Sequence, residues 1–211
     1  MARMARNPKT GDAPTMPDKT ARTDHAIHPM LASRWSPRAF SARLLDSDII
    51  ASMFEAARWS PSANNLQPWA FIYAERGTPD FQVFCGCLKE TNVLWARNAA
   101  LLGLALERPA KPDGSPNAHA RYDLGQAVAH LTFQACAMDL YIHQMAGFDP
   151  AQARAALGIP PDLLPVTAFA VGYLGDASSL PATMQEKELA ARSRHPASAF
   201  AHPGRWPNHV D

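Results

Sequence analysis

The chain of 211 residues lacks the short motifs that mark several common enzyme classes. No Gly-x-Gly occurs, so the dinucleotide-binding fingerprint is missing, and no Gly-Lys-Ser or Gly-Lys-Thr phosphate loop is present. The eight histidines show no metal-binding spacing, His-Glu-x-x-His is absent, and there is no Gly-x-Ser-x-Gly nucleophile elbow. We therefore expect no metal site, and a classical dehydrogenase, a P-loop enzyme and a serine hydrolase are poorly supported.

Cysteine and net charge are also scarce. Cys85, Cys87 and Cys136 form no Cys-x-x-Cys motif, and their odd number favours buried thiols in a reducing compartment. A net charge of +1 provides no broad basic surface, so we expect no nucleic-acid or membrane partner, and any anion site must be local. No apolar run reaches the roughly 18 residues that span a bilayer, and no secretory signal is visible, which predicts a cytoplasmic protein.

Hydrophobic periodicity predicts an α+β fold with one sheet covered by helices. Residues 1–27 are polar and aperiodic, and we interpret them as a disordered or loosely attached arm before a single domain, 28–211. The spacing predicts helices from Asp46 to Ala57, over Pro79–Leu88, over Tyr122–Met145 as the longest, and after Asp149-Pro150; it predicts strands at Trp69–Ala74, Ala99–Leu106 and Val166–Leu174.

Two arginine clusters are candidates for an anion site. Arg34, Ser36 and Arg38 alternate along an extended segment, so their side chains can converge. Arg192-Ser193-Arg194 repeats the arrangement near the other end of the chain. Arginine holds a phosphate through two parallel hydrogen bonds, which suits this composition. Either cluster alone is more typical of a solvated surface than of an anion site.

The segment from Pro61 to Trp69 is a dense row of hydrogen-bonding side chains between two prolines. Asn65 and Gln67 each offer a donor and an acceptor, which suits a heterocycle with N–H and C=O edges. The alternative interpretation is an ordinary turn before a strand.

Taken in order, these motifs resemble the FMN-dependent nitroreductase family. The resemblance runs from Arg34-Trp35-Ser36-Pro37-Arg38-Ala39-Phe40 through Trp59-Ser60-Pro61-Ser62-Ala63-Asn64-Asn65-Leu66-Gln67-Pro68-Trp69 and Asn92-Val93-Leu94-Trp95-Ala96 to Met145-Ala146-Gly147-Phe148-Asp149, Val171-Gly172-Tyr173 and Arg192-Ser193-Arg194. It covers about residues 28–206. It implies a central, mostly antiparallel sheet flanked by helices, in an interlocked homodimer with two FMN sites at the interface.

The resemblance also implies roles for individual residues. The FMN phosphate would be held by Arg34, Ser36, Arg192 and Arg194. Trp35, between Arg34 and Ser36, stands where arginine or histidine is more usual and is also expected at the cofactor. Arg38 would lie near the flavin N1–O2 edge as electrostatic support, the sole catalytic assistance expected from the protein. The ring and ribityl chain would meet Pro61, Ser62, Asn65 and Gln67, some of them from the second subunit, while the pyrimidine edge would meet Asn92 and the region near N5 would meet Met145, Ala146 and Gly147.

The activity implied is a ping-pong oxidoreductase reaction. NADH or NADPH would deliver hydride to flavin N5, and a small acceptor such as a nitroaromatic, quinone or enone would then take it. Ala146, where some members have glutamate, and Trp95, where some have lysine, leave the substrate class open. The alternatives are an oxidase, dehalogenase or dehydrogenase of the same family, a non-catalytic flavin-binding module, and a helical scaffold with no cofactor.

Overall fold

The computed structural model describes residues 18–207, in which four antiparallel strands form one sheet. The strands are β1 (Trp69–Glu75), β2 (Leu101–Glu107), β3 (Tyr141–Met145) and β4 (Leu164–Gly172), in the order β1-β2-β4-β3. Every residue of β2 is buried, because this strand is central and both of its faces are covered. The α+β class and the antiparallel sheet are confirmed.

Seven α-helices cover the sheet: α1 (Pro29–Ser33), α2 (Ser47–Arg58), α3 (Pro79–Cys87), α4 (Glu90–Ala96), α5 (Ala120–Ala137), α6 (Pro150–Leu157) and α7 (Ala182–Leu189), counted over residues 18–207. Alternate residues of β2 point to opposite faces. Leu102 and Leu104 pack with α3, α4 and α6, whereas Leu101 and Ala105 pack with α2 and α5. The described helices include none with the length and apolar character needed to cross a bilayer.

The predicted helix over Tyr122–Met145 is wrong in its last third. α5 ends at Ala137, Asp139 adopts a left-handed φ of 59°, and Tyr141–Met145 pairs with β4. The apolar spacing misleads because Ile142 and Met145 continue the helical period while also serving as buried strand positions. His143 therefore lies on the sheet and not on the same helix as His130.

The other predicted elements are present, with ends shifted by at most two residues. Asp149 caps α6 by accepting from the backbone N–H of Ala151 and Gln152, whereas Asp46 precedes α2 without a side-chain cap. The first part of the predicted arm, residues 1–17, lies outside the described residues. In the remaining part, 18–27, the N–H of Ala21 donates to the Ala32 carbonyl at 2.9 Å.

Gly103 in β2 provides a test of how tightly the sheet is packed. A Cβ at Gly103 would lie 2.4 Å from Cζ of Phe169, its partner across β2 and β4. We expect Gly103→Ala to lower the free energy of unfolding by about 1–3 kcal/mol through overpacking, measured by urea denaturation. Gly86→Ala is the control, because Gly86 is exposed within α3 with open space around it. This substitution should raise the free energy of unfolding by about 0.5–1 kcal/mol. Equal effects of the two substitutions would contradict the packing described.

Candidate functional site

The two arginine clusters meet in one pocket of about 200 Å³ between the end of α1 and the end of α7. Arg34 Nη1 donates to Ser36 Oγ at 3.2 Å, as the alternating pattern predicts. Residues from both ends of the chain line this pocket, which we call the arginine pocket: Lys19, Arg34, Trp35, Ser36, Arg38, Lys187, Glu188, Ala190, Ala191, Arg192 and Arg194. Side chains about 150 residues apart in the sequence therefore line one cavity. Charged groups have to lie this close together if they are to bind the same anion.

The guanidinium groups in the arginine pocket oppose one another. Burial lowers the pKa of Arg192, and the neighbouring charges of Arg34 and Arg194 lower it further. Burial also lowers the pKa of Arg34, with Arg194 acting in the same direction. Like charges packed together and partly removed from water destabilise each other, so this arrangement favours an anionic ligand.

Arg192 and Arg194 use their donors differently. Arg192 Nη1 donates to the carbonyl oxygens of Lys19, at 2.6 Å, and Ala32, at 2.8 Å. Arg194 Nη1 donates to the carbonyl of its neighbour Ser193 at 2.7 Å. Arg192 therefore also fastens the segment before α1, whereas Arg194 has no comparable structural contact among the described residues.

Glu188 fixes the position of the Arg34–Arg38 segment and was missed in the sequence. Its Oε1 accepts from the backbone N–H of Arg38 at 2.8 Å and of Ala39 at 3.0 Å. The side chain is buried, and Oε2 lies 4.0 Å from Arg38 Nη1. In the sequence Glu188 is one of several charged residues on a short polar helix, so no signal separates it from an exposed glutamate.

Asn92, Met145, Ala146 and Gly147 form a second group. Asn92 Nδ2 donates to the Gly147 carbonyl at 3.0 Å, and a Cβ at Gly147 would lie 2.5 Å from the same Nδ2. A side chain at position 147 would therefore displace the Asn92 amide from its present place. Met145 is buried at the end of β3, and Ala146 is exposed beside it.

Strand β3 connects this second group to the arginine pocket. At its beginning the ring of Tyr141 packs edge-on against Trp35, with centroids 6.1 Å apart. At its end Met145 leads into Ala146 and Gly147. Five residues of extended chain cover about 13 Å, so the two groups lie at opposite ends of one short strand.

The loop of residues 61–67 packs at the beginning of α5, whereas Arg34 of the arginine pocket lies near its end. Asp123, in the first turn of α5, accepts from the N–H of Ala63 at 3.1 Å. Arg34 is close enough to Cys136, in the last turn of α5, for the two to interact electrostatically. Thirteen helical residues separate Asp123 and Cys136 by about 20 Å, so the loop and Arg34 lie near opposite ends of α5.

The same loop is held in an unusual backbone conformation. Asn64, Asn65 and Gln67 have φ values of 52°, 55° and 49°. Ser62 Oγ accepts from the N–H of Gln67 at 3.1 Å, which stabilises the turn, while the side chains of Asn65 and Gln67 are exposed. Asparagine adopts the left-handed conformation more readily than most residues, so Gln67 is the most unusual of the three, and strained positions of this kind concentrate at functional sites.

Comparison with known proteins identifies the family. The sequence model of the nitroreductase family matches residues 31–79, which include the first arginine cluster and the loop. A solved structure described as an oxidoreductase containing FMN is 32% identical with a TM-score of 0.84, over 88% of this chain and 96% of its own. The chain belongs to the nitroreductase family.

Two further relatives of this nitroreductase-family protein extend the comparison. An uncharacterized 15.4 kDa protein of Mycolicibacterium smegmatis is 32% identical over 138 residues, which are 64% of this chain and 90% of that protein. The structure of a candidate nitroreductase in complex with FMN from Desulfovibrio desulfuricans is 22% identical with a TM-score of 0.66, over 86% of this chain and all of its own. The latter likeness concerns the fold.

His143 links the two ends of the site through an uncharged ring. Its Nδ1 lies 2.9 Å from the Pro37 carbonyl, and its ring packs on Trp95 with centroids 4.4 Å apart. Burial lowers the pKa of His143 to about 4, although the hydrogen bond to Pro37 opposes the shift. The imidazole is therefore neutral at physiological pH, and a protonated Nδ1 donates to the carbonyl.

Acid should destabilise the protein through His143. The unfolded chain binds a proton at this residue below about pH 6.5, and the folded chain binds one only near pH 4. Stability attributable to His143 is therefore complete above pH 6.5 and falls by about 3 kcal/mol as the pH drops to 4. Unfolding titrations across this range should show a smaller loss for His143→Gln than for the wild type. His130→Gln, at an exposed position on α5, is the matched control, and an unchanged slope in His143→Gln would contradict the assignment.

Proposed function

We propose that the protein is an FMN-dependent oxidoreductase that uses NADH or NADPH to reduce a small acceptor such as a nitroaromatic, quinone or enone. The observation that carries this proposal is the convergence of Arg34, Ser36, Arg192 and Arg194 on one pocket. Family membership and an FMN-containing relative agree with it. Bound FMN would supply the redox chemistry, by accepting hydride from the nicotinamide and passing it to the acceptor in a ping-pong cycle.

The arginine pocket fits the phosphate of a mononucleotide. Each charge-assisted hydrogen bond to a phosphate oxygen contributes about 1.5–3 kcal/mol, and Arg34 and Arg194 can each supply a pair of parallel donors. A dianion would also relieve the mutual repulsion that lowers the pKa values of Arg34 and Arg192. The half-buried Ser36 hydroxyl beside Arg34 adds a neutral donor.

The remaining groups would position the flavin ring. From the arginine pocket, β3 leads to Asn92 and Gly147, where the Asn92 amide and the exposed backbone at Ala146 can meet the ring. Arg38, held by its backbone to Glu188, would place a positive charge where negative charge develops on reduction. The protein then contributes position and electrostatics, with no protein nucleophile.

A second copy of the chain would complete the site. The loop carrying Asn65 and Gln67 and the residue Arg34 lie near opposite ends of α5, about 20 Å apart along its axis, which supports a site whose loop comes from a partner subunit. Trp59 and Tyr122 beside this loop are 72% and 67% exposed, which is typical of a surface that associates. The proposal is therefore a homodimer with two composite sites, acting in the cytoplasm where NADH and NADPH are available.

The reductive half of the proposal can be tested by absorbance. We expect the protein to bind FMN, and NADH or NADPH added without air to remove the flavin absorbance near about 450 nm. Adding a nitroaromatic or quinone should restore it. Arg194→Ala should lose FMN with the fold retained, whereas Arg97→Ala, an exposed arginine at the end of α4, should not.

Other outcomes of this experiment favour the alternatives. A flavin that binds but is not reduced would indicate a non-catalytic flavin-binding module. Reduction followed by reoxidation with O2 alone would indicate an oxidase-type reaction of the same family. A colourless protein that takes up no FMN would refute the proposal.

Mixed dimers test whether two chains share each site. Arg194→Ala disables the arginine pocket, and Asn65→Ala disables the loop. Each variant alone should therefore lose most FMN-dependent activity. In a mixed dimer one site carries both substitutions and the other carries neither. Co-expression at equal levels makes half of the dimers mixed, so about a quarter of all sites should regain activity by symmetry. No recovery would mean that each site is built within one chain.

A further inference from the structure

Lys19 lies in the segment before α1, outside the predicted domain 28–211, and reaches the arginine pocket. Its side chain is largely buried, with 9% of the residue exposed. The Nζ donates to the Ala190 carbonyl, and the Lys19 carbonyl accepts from Arg192 Nη1 at 2.6 Å. The residue therefore joins the segment before α1 to the C-terminal part of the pocket.

The Lys19 ammonium is incompletely satisfied. It carries three N–H donors, and among the described residues one acceptor, the Ala190 carbonyl, receives a hydrogen bond from it. The ring of Trp35 lies 5.0 Å from Nζ, which adds a cation–π contact. Burial lowers the pKa of Lys19, and the nearby Glu188 carboxylate opposes this shift. A cation held out of water with donors to spare favours an anion beside it.

The balance of charge in the arginine pocket supports the same conclusion. Glu188 is the one carboxylate among the described lining residues, and its buried Oε2 has no hydrogen-bond partner among them. Six cationic residues line the same pocket: Lys19, Arg34, Arg38, Lys187, Arg192 and Arg194. One carboxylate does not neutralise this set, so the excess positive charge is available to a ligand.

We propose that Lys19 is a binding residue for the phosphate, supplied by the segment before α1. This inference rests on the proposed FMN site, because FMN provides the phosphate. It gives the end of the N-terminal segment a role as one wall of the cofactor site. The competing explanation is that Lys19 acts as a structural clamp through Trp35 and Ala190.

Comparison of FMN with riboflavin separates the two explanations, because riboflavin lacks the phosphate. In Lys19→Met the side chain keeps an unbranched apolar stem that can pack on Trp35, is one atom shorter, and loses the charge. We expect the Kd for FMN, measured by flavin fluorescence on cofactor-free full-length protein, to rise about ten-fold or more, as the loss of one charge-assisted contact implies. The Kd for riboflavin should stay within about two-fold, since the proposal places the phosphate, and not the ring or the ribityl chain, beside Lys19.

Matched variants control for charge and for folding. Lys19→Arg should retain most of the FMN affinity, and Lys111→Met makes the same charge change at an exposed position in the loop after β2 and should have no effect. Circular dichroism and thermal unfolding show whether each variant is folded. Lys19→Gln repeats the test if Lys19→Met does not fold.

The outcomes also separate this inference from the proposed function. An unchanged FMN Kd in Lys19→Met, or an equal loss of FMN and riboflavin affinity, would overturn the role of Lys19 while FMN binding by the wild type stands. Inorganic phosphate provides the other arm: it should raise the Tm of the cofactor-free wild type more than that of Lys19→Met. If the wild type binds phosphate but not FMN, the proposed function fails, and the phosphate measurement alone decides the role of Lys19. If the wild type binds neither phosphate nor FMN, both the proposed function and the role of Lys19 are overturned.

Discussion

The buried Glu188 carboxylate stabilises the arginine pocket, in which the positively charged side chains repel one another. By accepting from the N–H groups of Arg38 and Ala39, it fixes the first arginine segment against α7, the helix that leads into the second. These hydrogen bonds to backbone are directional and buried, so they persist where guanidinium groups repel one another. A concentrated positive pocket can thus exist before any ligand arrives, and binding need not assemble it.

Much of this site could be predicted from the sequence, because its chemistry is local. Arginine pairs and an amide-rich loop between prolines can be recognised within a few residues, and the strands around them follow from apolar runs. The error over Tyr122–Met145 arose where one apolar spacing suited two structures, and pairing with β4 decided between them. Lys19 and Glu188 could not be found this way, since a single charged residue shows its partner only in the folded chain.

The loop of residues 61–67 illustrates a different limit. Its composition predicts a binding loop, and its left-handed backbone supports that interpretation. Its place relative to Arg34 follows instead from the length of α5, along which the two lie about 20 Å apart. Motif order along the chain carries no information about which copy of the chain supplies each motif.

Arg192 has a double attachment with a thermodynamic consequence. The same guanidinium faces the pocket and grips the carbonyls of Lys19 and Ala32, so pocket occupancy and docking of the preceding segment share one side chain. If a bound anion stabilises Arg192 in its present position, the same coupling free energy stabilises the docking of residues 18–21. Binding of an anion in the pocket and docking of the segment before α1 would therefore strengthen each other.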